Sequence, residues 1–63
     1  MKIREVLRLL QKDGWYLDRT RGSHRQFRHR VKKGTVTVAG APSDDVHPKT
    51  LKSIFRQAEL ENE

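Results

Sequence analysis

The chain has 63 residues and carries 14 lysines and arginines against 8 acidic residues, a formal net charge of +6. This length predicts a single small domain over residues 1–63, and the absence of cysteine excludes disulfides and thiolate metal sites. No apolar run approaches the roughly 18 residues of a membrane span and no signal peptide is evident, so we expect a soluble, cytoplasmic protein with no membrane partner.

The first predicted element is a helix from about Lys2 to Lys12. Apolar residues recur there at the i, i+3, i+4 and i+7 positions that line one helix face. These residues are Ile3, Val6, Leu7 and Leu10. Gly14 is expected to end the helix, because glycine adopts the left-handed conformation at little steric cost.

Three short strands joined by tight turns are predicted next, at 15–20, 24–31 and 35–38. Successive side chains of a strand point to opposite faces, and this alternation sorts the second strand. The core-side residues are Phe27, His29 and Val31, and those on the opposite face are His24, Gln26, Arg28 and Arg30. The valines of the third strand are expected to point inward. The segment therefore predicts an antiparallel meander with one polar face.

A second helix is predicted from about Pro48 to Glu59, since proline suits the first helical position. Its apolar stripe consists of Leu51, Ile54, Phe55 and Ala58. We expect 61–63 to fray. The predicted fold class is α+β, with an α-β-β-β-α order, a three-stranded antiparallel sheet and two helices on one face. This is the layout of the double-stranded-RNA-binding domain.

Half of the basic residues lie between Arg19 and Lys33, a segment with no acidic residue. The rest of the chain has a formal charge of −1. Clustered cations favour a polyanion, because each one that neutralises a phosphate releases a condensed counterion. The candidate RNA-binding residues are Arg21, Arg25, Arg28, Arg30, Lys32 and Lys33. A solvated basic hairpin with no partner is the alternative interpretation.

His24 is the candidate catalytic residue within this segment. RNA carries its own nucleophile, the 2′-hydroxyl, so cleavage requires a base, an acid and positive charge at the phosphate. Histidine suits such proton transfers near neutral pH, and neither a metal nor a cofactor is needed. The three histidines also lack the spacing of a metal-ligand set. An exposed histidine equally serves as a simple phosphate contact, so both interpretations stay open.

Four further residues have alternative roles. His29 is the nearest second proton-transfer group, but its core-side placement favours a structural role, and His47 is expected to begin the second helix. Trp15 and Tyr16 are candidates for stacking on a base. Trp15 shares a strand face with Leu17, which favours the core instead.

Over nearly its full length, the chain resembles the HicA toxins, which are small mRNA interferases of toxin–antitoxin systems. Besides the third strand and Gln57-Ala58, three stretches carry the resemblance. They are Lys12-Asp13-Gly14-Trp15, Gly22-Ser23-His24 followed by Phe27, and Lys49-Thr50-Leu51-Lys52-Ser53-Ile54. The chain departs from the family pattern at Ala39, Ala41 and Glu59, where members often have proline, histidine and glycine.

The resemblance implies a double-stranded-RNA-binding-like fold and metal-independent cleavage of mRNA. It gives the catalytic role to His24, and we expect Gly22 and Ser23 to support the active-site turn. It also implies neutralisation by a cognate HicB-type antitoxin. A non-catalytic RNA-binding module of the same fold is the alternative function.

Overall fold

The computed structural model describes residues 1–60 and contains two helices and three strands. The elements are α1 (Ile3–Lys12), β1 (Tyr16–Arg21), β2 (His24–Arg28), β3 (Val36–Ala39) and α2 (Pro48–Gln57). The strands pair antiparallel in the order β1-β2-β3. The predicted α-β-β-β-α order and three-stranded antiparallel sheet are confirmed. The expected fraying of Glu61, Asn62 and Glu63 lies outside the described residues.

The hydrophobic core lies between one face of the sheet and both helices. Both predicted helical stripes contribute to it, as do the two valines of β3. Its buried members are Ile3, Val6, Leu10, Trp15, Phe27, Val36, Val38, Val46, Ile54 and Ala58. Because both helices pack on the same side, the other face of the sheet is left open.

Gly14 ends α1 in a Schellman motif. Its φ is 103°, the N–H of Trp15 donates to the carbonyl of Leu10 at 2.9 Å, and the N–H of Gly14 donates to that of Gln11 at 3.0 Å. This turn directs Trp15 into the core, where it is 2% exposed. A Cβ atom at residue 14 would lie 2.8 Å from Nε2 of His29, so the position also lacks room for a side chain.

The end of α2 repeats this motif with Glu59 in the place of the glycine. The N–H of Leu60 donates to the carbonyl of Phe55 at 2.8 Å, and the N–H of Glu59 donates to the backbone carbonyl of Arg56 at 3.2 Å. Glu59 has a φ of 55°, which costs a residue with a side chain about 1–2 kcal/mol. Glu59 therefore caps α2 with the bonds that Gly14 gives to α1, at a higher conformational cost than a glycine would have.

The predicted end of β2 at Val31 is wrong, because the strand stops at Arg28. His29 follows the strand, and its Nδ1 accepts the backbone N–H groups of Val31 and Lys32, both at 3.0 Å. These bonds fold the backbone back toward the ring. The two N–H groups thus bond to the His29 side chain and not to a neighbouring strand. Val31 is 84% exposed, so its predicted place in the core is also wrong. Arg30 lies in the bend after β2 and not on a strand face.

Candidate active site on the open sheet face

The open face is the side of the sheet turned away from α1 and α2. Phe27, Val36 and Val38 point into the core, so the residues that alternate with them point away from it. Residues directly opposite on antiparallel strands point to the same side of a sheet. By this register, the open face consists of Tyr16, Arg19, Arg21, His24, Gln26, Arg28, Thr37 and Ala39. Three arginines therefore share a surface with His24.

A β-bulge at Asp18 brings two of these arginines to the open face. Leu17 pairs with Phe27 and Arg19 pairs with Gln26, which leaves Asp18 as an extra residue in β1. One extra residue reverses the alternation beyond it. Without the bulge, Arg19 and Arg21 would point to the same side as Leu17. Arg19 was not among the predicted RNA-binding residues, and local alternation contains no signal for the bulge.

The two-residue turn Gly22-Ser23 places His24 at the end of the sheet. Arg21 and His24 form the last pair of the β1–β2 ladder, and Gly22 has a φ of 59°. Glycine with positive φ at the first central position is typical of a type II′ hairpin turn. A Cβ at Gly22 would meet nothing within 4 Å, so backbone conformation and not crowding favours glycine here.

The side chain of His24 is exposed, and among residues 1–60 no hydrogen bond or ion pair holds its ring. Its cross-strand neighbours are Arg21 on β1 and Ala39 on β3. The small Ala39 leaves the ring accessible from the β3 side. Both ring nitrogens are thus available to a substrate, on a residue that pairs with Arg21.

Arg25 braces the turn from the other side of the sheet. It pairs with Val38, and its Nη1 donates to the carbonyl of Gly40 at 2.8 Å. The N–H of Gly40 in turn donates to the carbonyl of Ser23 at 3.3 Å. Arg25 is half-buried on the central strand, and its bond to Gly40 holds the segment after β3 against the turn that precedes His24.

The ammonium group of Lys32 links the C-terminal ends of both helices. Its Nζ donates to Oδ2 of Asp13 at 2.6 Å and to the carbonyls of Ala58 and Glu59, both at 3.1 Å. An ammonium has three donors, and these three acceptors use all of them. Lys33, the next residue, is exposed. Of the six predicted RNA-binding residues, the structure brings Arg21 and Arg28 to the face that carries His24.

Replacing Lys32 with methionine is expected to lower the free energy of unfolding by about 2 kcal/mol, because charge-assisted hydrogen bonds are lost. The thermal midpoint of a domain this small should then fall by about 8–16 °C. Lys33→Met is the matched control and should leave the midpoint near its wild-type value. Equal midpoints for the two variants, measured by circular dichroism, would contradict the proposed link between the helices.

His29 is held by three backbone groups. Its Nδ1 accepts two N–H groups, so the proton is assigned to Nε2, which donates to the carbonyl of Asp13 at 2.7 Å. The ring meets Trp15 edge-on, with centroids 5.1 Å apart. Both nitrogens are occupied, which leaves His29 without the capacity to act as a second proton-transfer group in this conformation.

His47 and the two aromatic candidates are also placed. Nδ1 of His47 accepts the backbone N–H of Lys49 at 3.1 Å, which confirms that His47 begins the second helix. Burial of Trp15 removes it as a base-stacking residue, whereas Tyr16 on the open face is 44% exposed. Leu17 shares the side of Phe27 but is 51% exposed, because β1 is an edge strand of the sheet.

Two further features concern the described residues as a whole. Within residues 1–60, no three histidine or acidic side chains lie close enough together to hold a metal ion. Neither α1 nor α2 is long and apolar enough to cross a membrane.

The fold and the open face define a small α+β protein of double-stranded-RNA-binding-like architecture that presents one histidine among arginines. A family model described as the HicA toxin of bacterial toxin–antitoxin systems matches residues 3–60. The chain therefore belongs to the HicA toxin family and is the toxin of a toxin–antitoxin system, which implies an antitoxin partner. Comparison with curated proteins finds no match.

Proposed function

We propose that the protein is a metal-independent mRNA endoribonuclease of the cytoplasm, with His24 as its catalytic general base or acid. The observation that carries this proposal is the exposed ring of His24, which a type II′ turn places directly across from Arg21. Family membership supports it, because HicA toxins are mRNA interferases.

The chemistry uses the 2′-hydroxyl of RNA as the nucleophile. The 2′-oxygen forms a bond to phosphorus, the bond to the 5′-oxygen breaks, and a 2′,3′-cyclic phosphate and a 5′-hydroxyl result. His24 accepts the proton of the 2′-hydroxyl or donates one to the leaving 5′-oxygen, and water makes the other of these two proton transfers. The guanidinium of Arg21 stabilises the negative charge that develops on the phosphate.

A non-catalytic RNA-binding module is the second candidate function. One observation favours it: both ring nitrogens of His29, the nearest candidate for a second proton-transfer group, are engaged in hydrogen bonds to the backbone. In that case His24 and its neighbouring arginines hold phosphates without turnover.

The end groups of the products separate the two candidates. Purified protein incubated with RNA in excess EDTA is expected to yield cyclic phosphate and 5′-hydroxyl ends, and a 2′-deoxy substitution at the cleaved nucleotide should block the cut. His24→Ala protein purified in parallel controls for contaminating nucleases. RNA binding without cleavage would favour the non-catalytic module, and 5′-phosphate ends would contradict the proposed chemistry.

The antitoxin is proposed to be of the HicB type and to cover the open face. An acidic protein surface is complementary to Arg19, Arg21 and Arg28, and bound there it would block access to His24.

A further inference from the structure

Tyr16 lies on the open face at the opposite end of the sheet from His24. It pairs with Arg28 across the strands, and four residue steps along β2 separate Arg28 from His24. At about 3.3 Å per residue these steps span roughly 13 Å. Tyr16 is 44% exposed, so part of this residue is available to a ligand.

The surface between these two ends is polar and basic. We call this surface, from Tyr16 and Arg28 to Arg21 and His24, the strip. Arg19 pairs with Gln26 in its middle, and Arg21 pairs with His24 at its end. None of the paired positions of the strip holds an acidic residue, although the carboxylate of the bulge residue Asp18 lies 3.9 Å from Nε of Arg19. The strip thus combines an aromatic ring, a line of arginines and a histidine.

We propose that Tyr16 and Arg28 form a base-stacking subsite for single-stranded RNA. An RNA chain that lies along β2 would place a phosphate at His24 and the base of a nearby nucleotide on the ring of Tyr16. This inference rests on the proposed function, because it takes RNA as the ligand of the open face.

Two physical arguments select single-stranded RNA as the ligand. Stacking on a side chain requires a base whose face is exposed, and bases in a duplex already stack on their neighbours. Aromatic rings beside a basic groove are the usual components of single-strand binding, where arginine also contacts the phosphates or stacks on a base.

The test measures binding of a 2′-O-methyl oligoribonucleotide, which has no free 2′-hydroxyl and is not cleaved. Tyr16→Ala is expected to weaken binding of the single strand by about tenfold. Tyr16→Phe retains the ring and should bind like the wild type. Leu17→Ala is the matched control, because Leu17 is 51% exposed on the same strand but points to the other side of the sheet.

The same oligonucleotide closed into a duplex hairpin should bind more weakly than the single strand and should not respond to Tyr16→Ala. Wild-type affinity of Tyr16→Ala for the single strand, or tighter binding of the duplex, would overturn the proposal. So would loss of antitoxin binding in Tyr16→Ala with unchanged RNA binding, which would make the subsite a protein contact. Because the oligonucleotide is not cleaved, this binding measurement tests stacking on Tyr16 separately from the catalytic role of His24.

Discussion

Replacement of His24 with alanine is expected to lower the rate of RNA cleavage by about 10²–10⁴-fold, the usual contribution of a general acid or base. The fold should be unaffected, because the ring is exposed and holds no hydrogen bond within residues 1–60. Substitutions at such positions change the free energy of unfolding by about 0.5 kcal/mol at most. Initial cleavage rates and thermal midpoints, measured on the same preparation, check both expectations.

Gln26→Ala is the matched control for His24→Ala. Gln26 is the next residue of β2 on the open face, and its amide is unable to transfer a proton at neutral pH. Its loss is expected to weaken RNA binding while the rate at saturating RNA is retained. Wild-type cleavage by His24→Ala would show that this ring only contacts phosphate.

Replacement of His29 with alanine is expected to lower the free energy of unfolding by about 3 kcal/mol, since three hydrogen bonds to the backbone and the edge contact with Trp15 are lost. A core of this size supplies only about 3–5 kcal/mol of net stability. A large part of the molecules should therefore unfold under mild conditions. Urea denaturation followed by tryptophan fluorescence measures the loss.

Arg30→Ala is the control for His29→Ala, because Arg30 is the adjacent residue and is exposed. Its denaturation midpoint should match that of the wild type. An unchanged midpoint for His29→Ala would mean that the bonds to Asp13, Val31 and Lys32 contribute nothing to stability.

Those elements whose sequence pattern repeats over several turns were predicted from the sequence. The stripes of α1 and α2 fix both helices, and the alternation of Val36 and Val38 fixes the inner face of β3, because burial of a periodic apolar face dominates the local choice. The end of β2 depends instead on one side chain, His29, which bonds to the backbone two and three residues ahead. Alternation alone does not reveal that competition.

Of the candidate site, only the features that depend on local sequence were predicted. Gly22-Ser23-His24 is a local turn signal, and the structure confirms that turn. The position of Arg19 depends on the bulge at Asp18, which only the pairing with β2 defines. Lys32 is indistinguishable from Lys33 in a basic run, and its bonds to Asp13 and the end of α2 exist only once both helices are packed.

The cleavage rate per folded molecule, compared between His24→Ala and His29→Ala, tests the central claim most directly. It is measured with one RNA substrate in EDTA, and the folded fraction of each variant is taken from denaturation curves recorded in the same buffer. We expect His29→Ala to retain the wild-type rate per folded molecule and His24→Ala to lose it. Equal losses in the two variants, or a loss confined to His29→Ala, would contradict the assignment of His24 as the catalytic residue.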